Sequence, residues 1–157
     1  MRKSVQIAAC LLAATSASSA QAPCPPPTLQ VLCNNREVPP AGAPIVPHAF
    51  LRIVPGPGCG AVRYEFQEAE LTLMRGPRPY LPTKTVRQAD INMLDFARTY
   101  QPGDRLYIFI PFRSLVVVAA DGSKAPYRPL ARPPKPPGVD LSTDQQNGIG
   151  FSWLLLK

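Results

Sequence analysis

Three carboxylates stand close together in VRYEFQEAELTLMRG: Glu65, Glu68 and Glu70. Strand residues two apart share a face, so a pair of these could serve as general acid and general base in a hydrolase. That chemistry requires a cleft holding a carboxyl group of raised pKa. The same residues also read as the polar face of a half-buried strand, which needs no chemistry, and this is the expectation adopted. A nucleophilic cysteine would need a neighbouring base, and the chain has one histidine, His48. A Ser-His-Asp triad would have to centre on His48 and draw in Ser114 and Asp121, which fall in a hairpin far along the chain. Asp121-Gly122 lacks the further oxygen ligands of a calcium loop, and no Cys or His spacing suits zinc. G-x-S-x-G, H-E-x-x-H and a Gly-rich phosphate loop are all missing. The expectation is a protein that is not an enzyme, with no catalytic, cofactor-binding or metal residues and no cofactor.

The beginning of the sequence is more telling. Arg2 and Lys3 precede an apolar run through Ile7, Leu11, Leu12 and Ala14, followed by the small residues 16–20. This is the pattern of a secretory signal peptide over residues 1–20. Cleavage fits after Ala20 or after Ala22, and the first is preferred because proline just beyond the scissile bond is a poor peptidase substrate. The h-region is shorter than the roughly 20 apolar residues of a membrane-crossing helix, and no other segment approaches that length. An exported mature protein without a transmembrane helix follows, either periplasmic or extracellular.

What remains suits one domain and is too short for two. The chain carries a formal net charge of +7 and 21 prolines. Its basic residues are scattered, without the run expected of a nucleic-acid arm, so nucleic acid is not an expected partner. The prolines, all beyond residue 20, exclude long helices over most of the chain. Three cysteines lie beyond the leader: Cys24, Cys33 and Cys59. In an oxidising compartment they imply one disulfide and one leftover thiol. Cys24 with Cys33 would staple the Pro-rich start, and Cys33 with Cys59 would tie it to the body.

The elements that must position these residues follow from periodicity. Residues 21–47 read as a Pro-rich, Cys-containing N-terminal arm, extended or polyproline II in character. Residues 48–157 read as a single β-rich domain. HAFLRIV (48–54) is a strand bounded by Pro47 and PGPGCG. In 62–76 the alternation slips by one residue, which predicts a bulge or two abutting strands near Gln67 and Glu68. Ile91, Leu94 and Ala97 predict a short helix, with Asp90 as its N-cap or a start near Thr85 or Val86. RLYIFIPF and SLVVVAA are strands, and Asp121-Gly122 turns the chain into KAPYRPL as a hairpin. LARPPKPPG (130–138) is a stiff linker. IGFSWLLLK closes the sheet, with Trp153 in the core. The fold class is mainly β, an immunoglobulin-like β-sandwich or a small β-rich domain with one short inserted helix.

The segments LTLMRG (71–76), the helix near 91–100, PGDRLYIFI (102–110) and ADGSKAPYRPL (120–130) follow one another in a recognisable order. Together, over about residues 64–130, they resemble the C-terminal domain of the gliding-motility protein GldM. That resemblance implies a small immunoglobulin-like periplasmic domain of a type found in the type IX secretion and gliding apparatus of Bacteroidetes. It implies an interaction role and transfers no catalytic residue. This chain departs from the family in having a cleavable leader in place of an inner-membrane helix, and a Pro-rich arm with cysteines.

The function expected is protein–protein interaction or scaffolding with an envelope protein. Tyr107, Phe109, Arg113 and Tyr127 form the candidate contact surface, because Tyr and Arg are enriched in binding hot spots. The alternative is a secreted module binding a glycan or an enzyme, which would be favoured by an exposed Trp153.

Overall fold

The computed structural model describes residues 25–59, 62–129 and 147–157. The expected leader, Cys24 and the 130–138 linker lie outside these residues. The described chain forms β1 (Thr28–Cys33), β2 (Arg36–Glu37), β3 (Ala43–Pro44), β4 (His48–Val54), β5 (Arg63–Phe66), β6 (Ala69–Arg75) and β7 (Arg78–Pro79). There follow β8 (Lys84–Val86), β9 (Asp90–Asn92), helix α1 (Leu94–Thr99), β10 (Arg105–Pro111), a 3-10 turn (Phe112–Ser114), β11 (Leu115–Val118), β12 (Lys124–Pro126) and β13 (Gly148–Leu156). The architecture is mainly β, with one short helix, as the alternation and the proline content require.

The described residues form three sheets. One runs β2-β1-β4-β9, a second runs β3-β13-β10-β6-β7 with β8 also on β6, and a third runs β12-β11-β5. The first two face each other. Val31 and Leu51 from one side meet Leu71, Ile108 and Trp153 from the other in a single apolar cluster. Along β10 the burial alternates with a period of two from Arg105 to Ile110. Leu106, Ile108 and Ile110 are buried, and Tyr107 and Phe109 alternate with them on the outer face. Trp153 is fully buried, and its indole N–H donates to the carbonyl of Ala43 at 3.0 Å, which fastens β3 to β13. No helix among the described residues is long and apolar enough to cross a membrane.

The structure corrects the sequence reading at three places. First, residues 21–47 are not merely an arm: β1 is an interior strand, paired antiparallel with β4 from Thr28↔Val54 to Leu32↔Phe50 and with β2 on its other side. Leu29 and Val31 alternate into the core, while the prolines that suggested an arm sit before and after this strand. Asn34 and Asn35, both at positive φ (50° and 62°), make the two-residue turn into β2. Asparagine tolerates this left-handed conformation better than most residues, and such a turn matches strand twist.

Second, Asp90 and Ile91 belong to β9, paired with Phe50 and Ala49. Asp90 is therefore not an N-cap. The helix starts only at Leu94, whose N–H is accepted by the Asn92 side chain at 2.9 Å. As expected, the hairpin at Asp121-Gly122 joins β11 and β12, while β10 lies in the six-stranded sheet and the 3-10 turn carries the chain across to β11. In the hairpin the Asp121 carboxylate accepts from both the N–H and the hydroxyl of Ser123.

Third, both expected cysteine pairings used Cys33, and Cys33 is a free thiol. Its half-buried position at the end of β1 pushes the thiol pKa up. Cys59 is disulfide-bonded.

The expected slip near Gln67 marks two separate strands. β5 joins the third sheet and β6 the second, with Gln67 N–H donating to the Ser114 carbonyl at the crossing.

Candidate interaction surface

The outer face of β10 carries Tyr107 and Phe109, two apart and hence on one side of the sheet. Their rings stack, with centroids 6.3 Å apart and planes inclined by 15°. This arrangement depends on the neighbouring strand. A Cβ added to Gly150 would come within 2.8 Å of the Tyr107 phenol oxygen, and one added to Gly148 within 2.5 Å of the Phe109 ring. The two glycines of β13 thus leave the space in which the rings lie flat, a cross-strand covering of glycine by aromatics. Phe109 continues into a cleft of about 490 Å³ that it lines together with Glu70, Pro111, Phe112 and Arg113.

Of the four expected contact residues, the fold brings Tyr107, Phe109 and the exposed Arg113 into this region. Tyr127 has a different position. It packs on Phe112 (5.2 Å between centroids) and Tyr64 (5.9 Å), partly buried against the core. Desolvation raises the pKa of Tyr127, and that of Tyr64 likewise. Its role is to support Phe112 from behind.

The three glutamates are dispersed. Glu65 pairs with Lys124 at 2.6 Å, Glu68 with Arg87 at 2.8 Å, and Glu70 lines the aromatic cleft. His48 stands 3.5 Å from Asp90, the Asp121 carboxylate is taken by Ser123, and Ser114 is buried at the 3-10 turn. Among the described residues, no cluster of three or more His, Cys, Asp or Glu side chains could hold a metal ion.

One charged group is buried among the described residues, the carboxylate of Asp104. Arg75 grips it in bidentate fashion, Nε to Oδ1 at 3.1 Å and Nη2 to Oδ2 at 2.9 Å, and Gln101 N–H donates to the same carboxylate. The guanidinium also donates to the Thr99 carbonyl and lies 3.7 Å from the centre of the Tyr80 ring. The end of α1 and the Pro102-Gly103 turn are thereby fixed to the end of β6. The hydrogen bonds from Arg75 hold the Asp104 carboxyl below the usual carboxylate range, against the opposing effect of burial.

A carboxyl group depressed on folding stabilises the native state above its unfolded pKa and loses that contribution as pH falls through its folded pKa. Stability should therefore fall as pH drops below about 4. In Asp104→Asn the part of this acid loss due to Asp104 should vanish, with a lower urea midpoint at neutral pH. Urea titrations of both proteins between neutral pH and strong acid check this; parallel curves would mean that Asp104 does not govern the acid limb.

The aromatic ledge was legible from the alternation in RLYIFIPF, whereas the Arg75–Asp104 clamp joins residues 29 apart with no local signal. A second concavity, between β4 and β5, was not anticipated either, since strand alternation says nothing about which edges remain open.

No family model, curated protein or solved structure matches this chain.

Proposed function

We propose that the chain is a non-catalytic protein-binding module of the cell envelope. Its leader exports it, and it meets its partner through the Tyr107–Phe109 ledge and the cleft beside Arg113. The observation that carries this reading is the ledge itself: two stacked rings over two glycines, next to an exposed arginine, on the outer face of a rigid six-stranded sheet. Rigid aromatic surface lost to solvent costs little side-chain entropy on binding, and Tyr and Arg anchors dominate interface energetics. The sequence pattern shared with the C-terminal domain of GldM supports an interaction role of the same kind.

A glycan-binding alternative asked for Trp153 as an open stacking platform. The indole is fully buried and bonded to Ala43, so that platform is not offered.

The test is quantitative affinity capture from the envelope fraction of the source cells, under non-reducing conditions. The bait is the wild-type protein, a Phe109→Ala/Arg113→Glu variant or an Arg36→Glu control. One or more proteins should be captured by wild type and control and lost with the double variant. Identical capture by all three would reject the ledge as the contact surface. Retention of cell-wall glycan alone would reject a protein partner.

A further inference from the structure

β5 ends the three-stranded sheet, and the phase of its pairing with β11 follows from one contact. Gln67 N–H donates to the Ser114 carbonyl at 2.8 Å. Opposed residues in an antiparallel ladder alternate between hydrogen-bonded and non-hydrogen-bonded pairs. Glu65 with Val116 and Arg63 with Val118 are therefore the bonded pairs. The N–H and C=O groups of Tyr64 and Phe66 point the other way, toward an edge with which no strand among the described residues pairs.

That edge borders a groove of about 420 Å³ whose opposite wall includes Phe50, Arg52, Ile53 and Pro55. Phe50 is 46% exposed, a large apolar side chain left open to solvent. Arg52 and Arg63 are exposed and enter none of the ion pairs formed among the described residues, whereas Glu65 is neutralised by Lys124. The groove thus combines open backbone donors and acceptors, apolar walls and two uncommitted positive charges.

We propose that this groove is a strand-docking site for an extended acidic peptide segment of a partner protein. The peptide adds to β5 as a fourth strand, with its backbone bonded to Tyr64 and Phe66 over roughly 7 Å. Its apolar side chains cover the wall at Phe50, and its carboxylates meet Arg52 and Arg63. Charge selects this occupant over a second copy of the chain, because the chain itself is basic, with a formal net charge of +7. The groove shares no residue with the Phe109–Arg113 cleft, so the two sites can fail separately.

The experiment is an NMR titration of the isotopically labelled protein with acetyl-Val-Asp-Val-Glu-Val-amide, and with the same peptide carrying lysine at both acidic positions. The acidic peptide should shift the Tyr64 and Phe66 amides to saturation, and the lysine peptide should bind at least about tenfold more weakly. Arg52→Glu/Arg63→Glu should reverse that preference. Tyr64→Pro removes a donor at the open edge while sparing the bonded pairs to β11, and it should weaken the acidic peptide about tenfold. The charge-reversal variant, which disturbs no backbone bond, keeps the test decisive if the proline variant unfolds. Equal affinity for both peptides, shifts confined to other residues, or no binding at millimolar peptide would overturn the proposal. So would a concentration-dependent dimer that protects the same amides.

Discussion

Trp153→Ala should leave the protein largely unfolded at room temperature. The indole is the largest side chain buried without exposure, and it lies where the two facing sheets meet. Truncating a buried aromatic to alanine costs about 3–5 kcal/mol through lost burial and the cavity left behind. The Ala43 carbonyl would also lose its donor, adding about 1–3 kcal/mol where no water can replace it. Against a total stability of about 5–15 kcal/mol for a domain of this size, that is most or all of the margin. Trp153→Phe keeps much of the volume and loses the hydrogen bond, so it should fall between the two. Urea unfolding followed by far-ultraviolet circular dichroism, which does not depend on the indole, gives the order wild type, Phe, Ala. An Ala variant within about 1 kcal/mol of wild type would show that the core tolerates the cavity and that the Ala43 bond is dispensable.

Gly148→Val should be nearly as damaging, and for a reason visible only across strands. A Cβ there meets the Ile110 backbone carbonyl and the Phe109 ring at once. The carbonyl belongs to the ladder that joins β10 to β13 and cannot swing aside, so the strand must move, at a cost of about 1–3 kcal/mol or more. Gly150→Ala is the informative comparison. Its nearest obstacle is the phenol end of Tyr107, which can rotate, and alanine is better suited than glycine to a strand interior. Gly150→Ala should stay within about 1 kcal/mol of wild type while tilting the ledge. Thermal unfolding should then separate the two glycines. Partner capture should fall for both, through unfolding in one case and through displaced rings in the other. Unchanged capture by a folded Gly150→Ala protein would mean that the ring geometry at Tyr107 does not matter for binding.

Much of this architecture can be read along the chain wherever a period of two is clean. HAFLRIV became β4 with the bounds its flanking prolines suggest, and the phase slip near Gln67 became the step from one sheet to another. Reading failed where one local signal masked another. Prolines on either side of TLQVLC hid an interior strand, since composition averages over a window while a strand needs only six suitable residues. Ile91, Leu94 and Ala97 fit a helical spacing, yet Ile91 pairs with Ala49 across a ladder, because burial against β4 outweighs a weak helical preference. The candidate surface divides in the same way. Tyr107 and Phe109 share a face by local geometry, whereas Tyr127 turned inward onto Phe112, a contact made only when β12 folds back along β11. The open edge of β5 and the Arg75–Asp104 clamp are properties of topology and could not be read from neighbours in sequence.

The Trp153–Ala43 bond spans 110 residues of sequence and sits where β13 is inserted between β3 and β10. Until residues 148–156 have been synthesised, β3 is cut off from β10 and the core lacks its largest side chain. Pairings of such long sequence separation also form slowly. Closure of the two facing sheets on their core therefore waits on β13, the last of the described strands to be made. The last described strand thus joins β3, drawn from the first third of the chain, to β10, and the order of the strands in the sheet departs from their order along the chain.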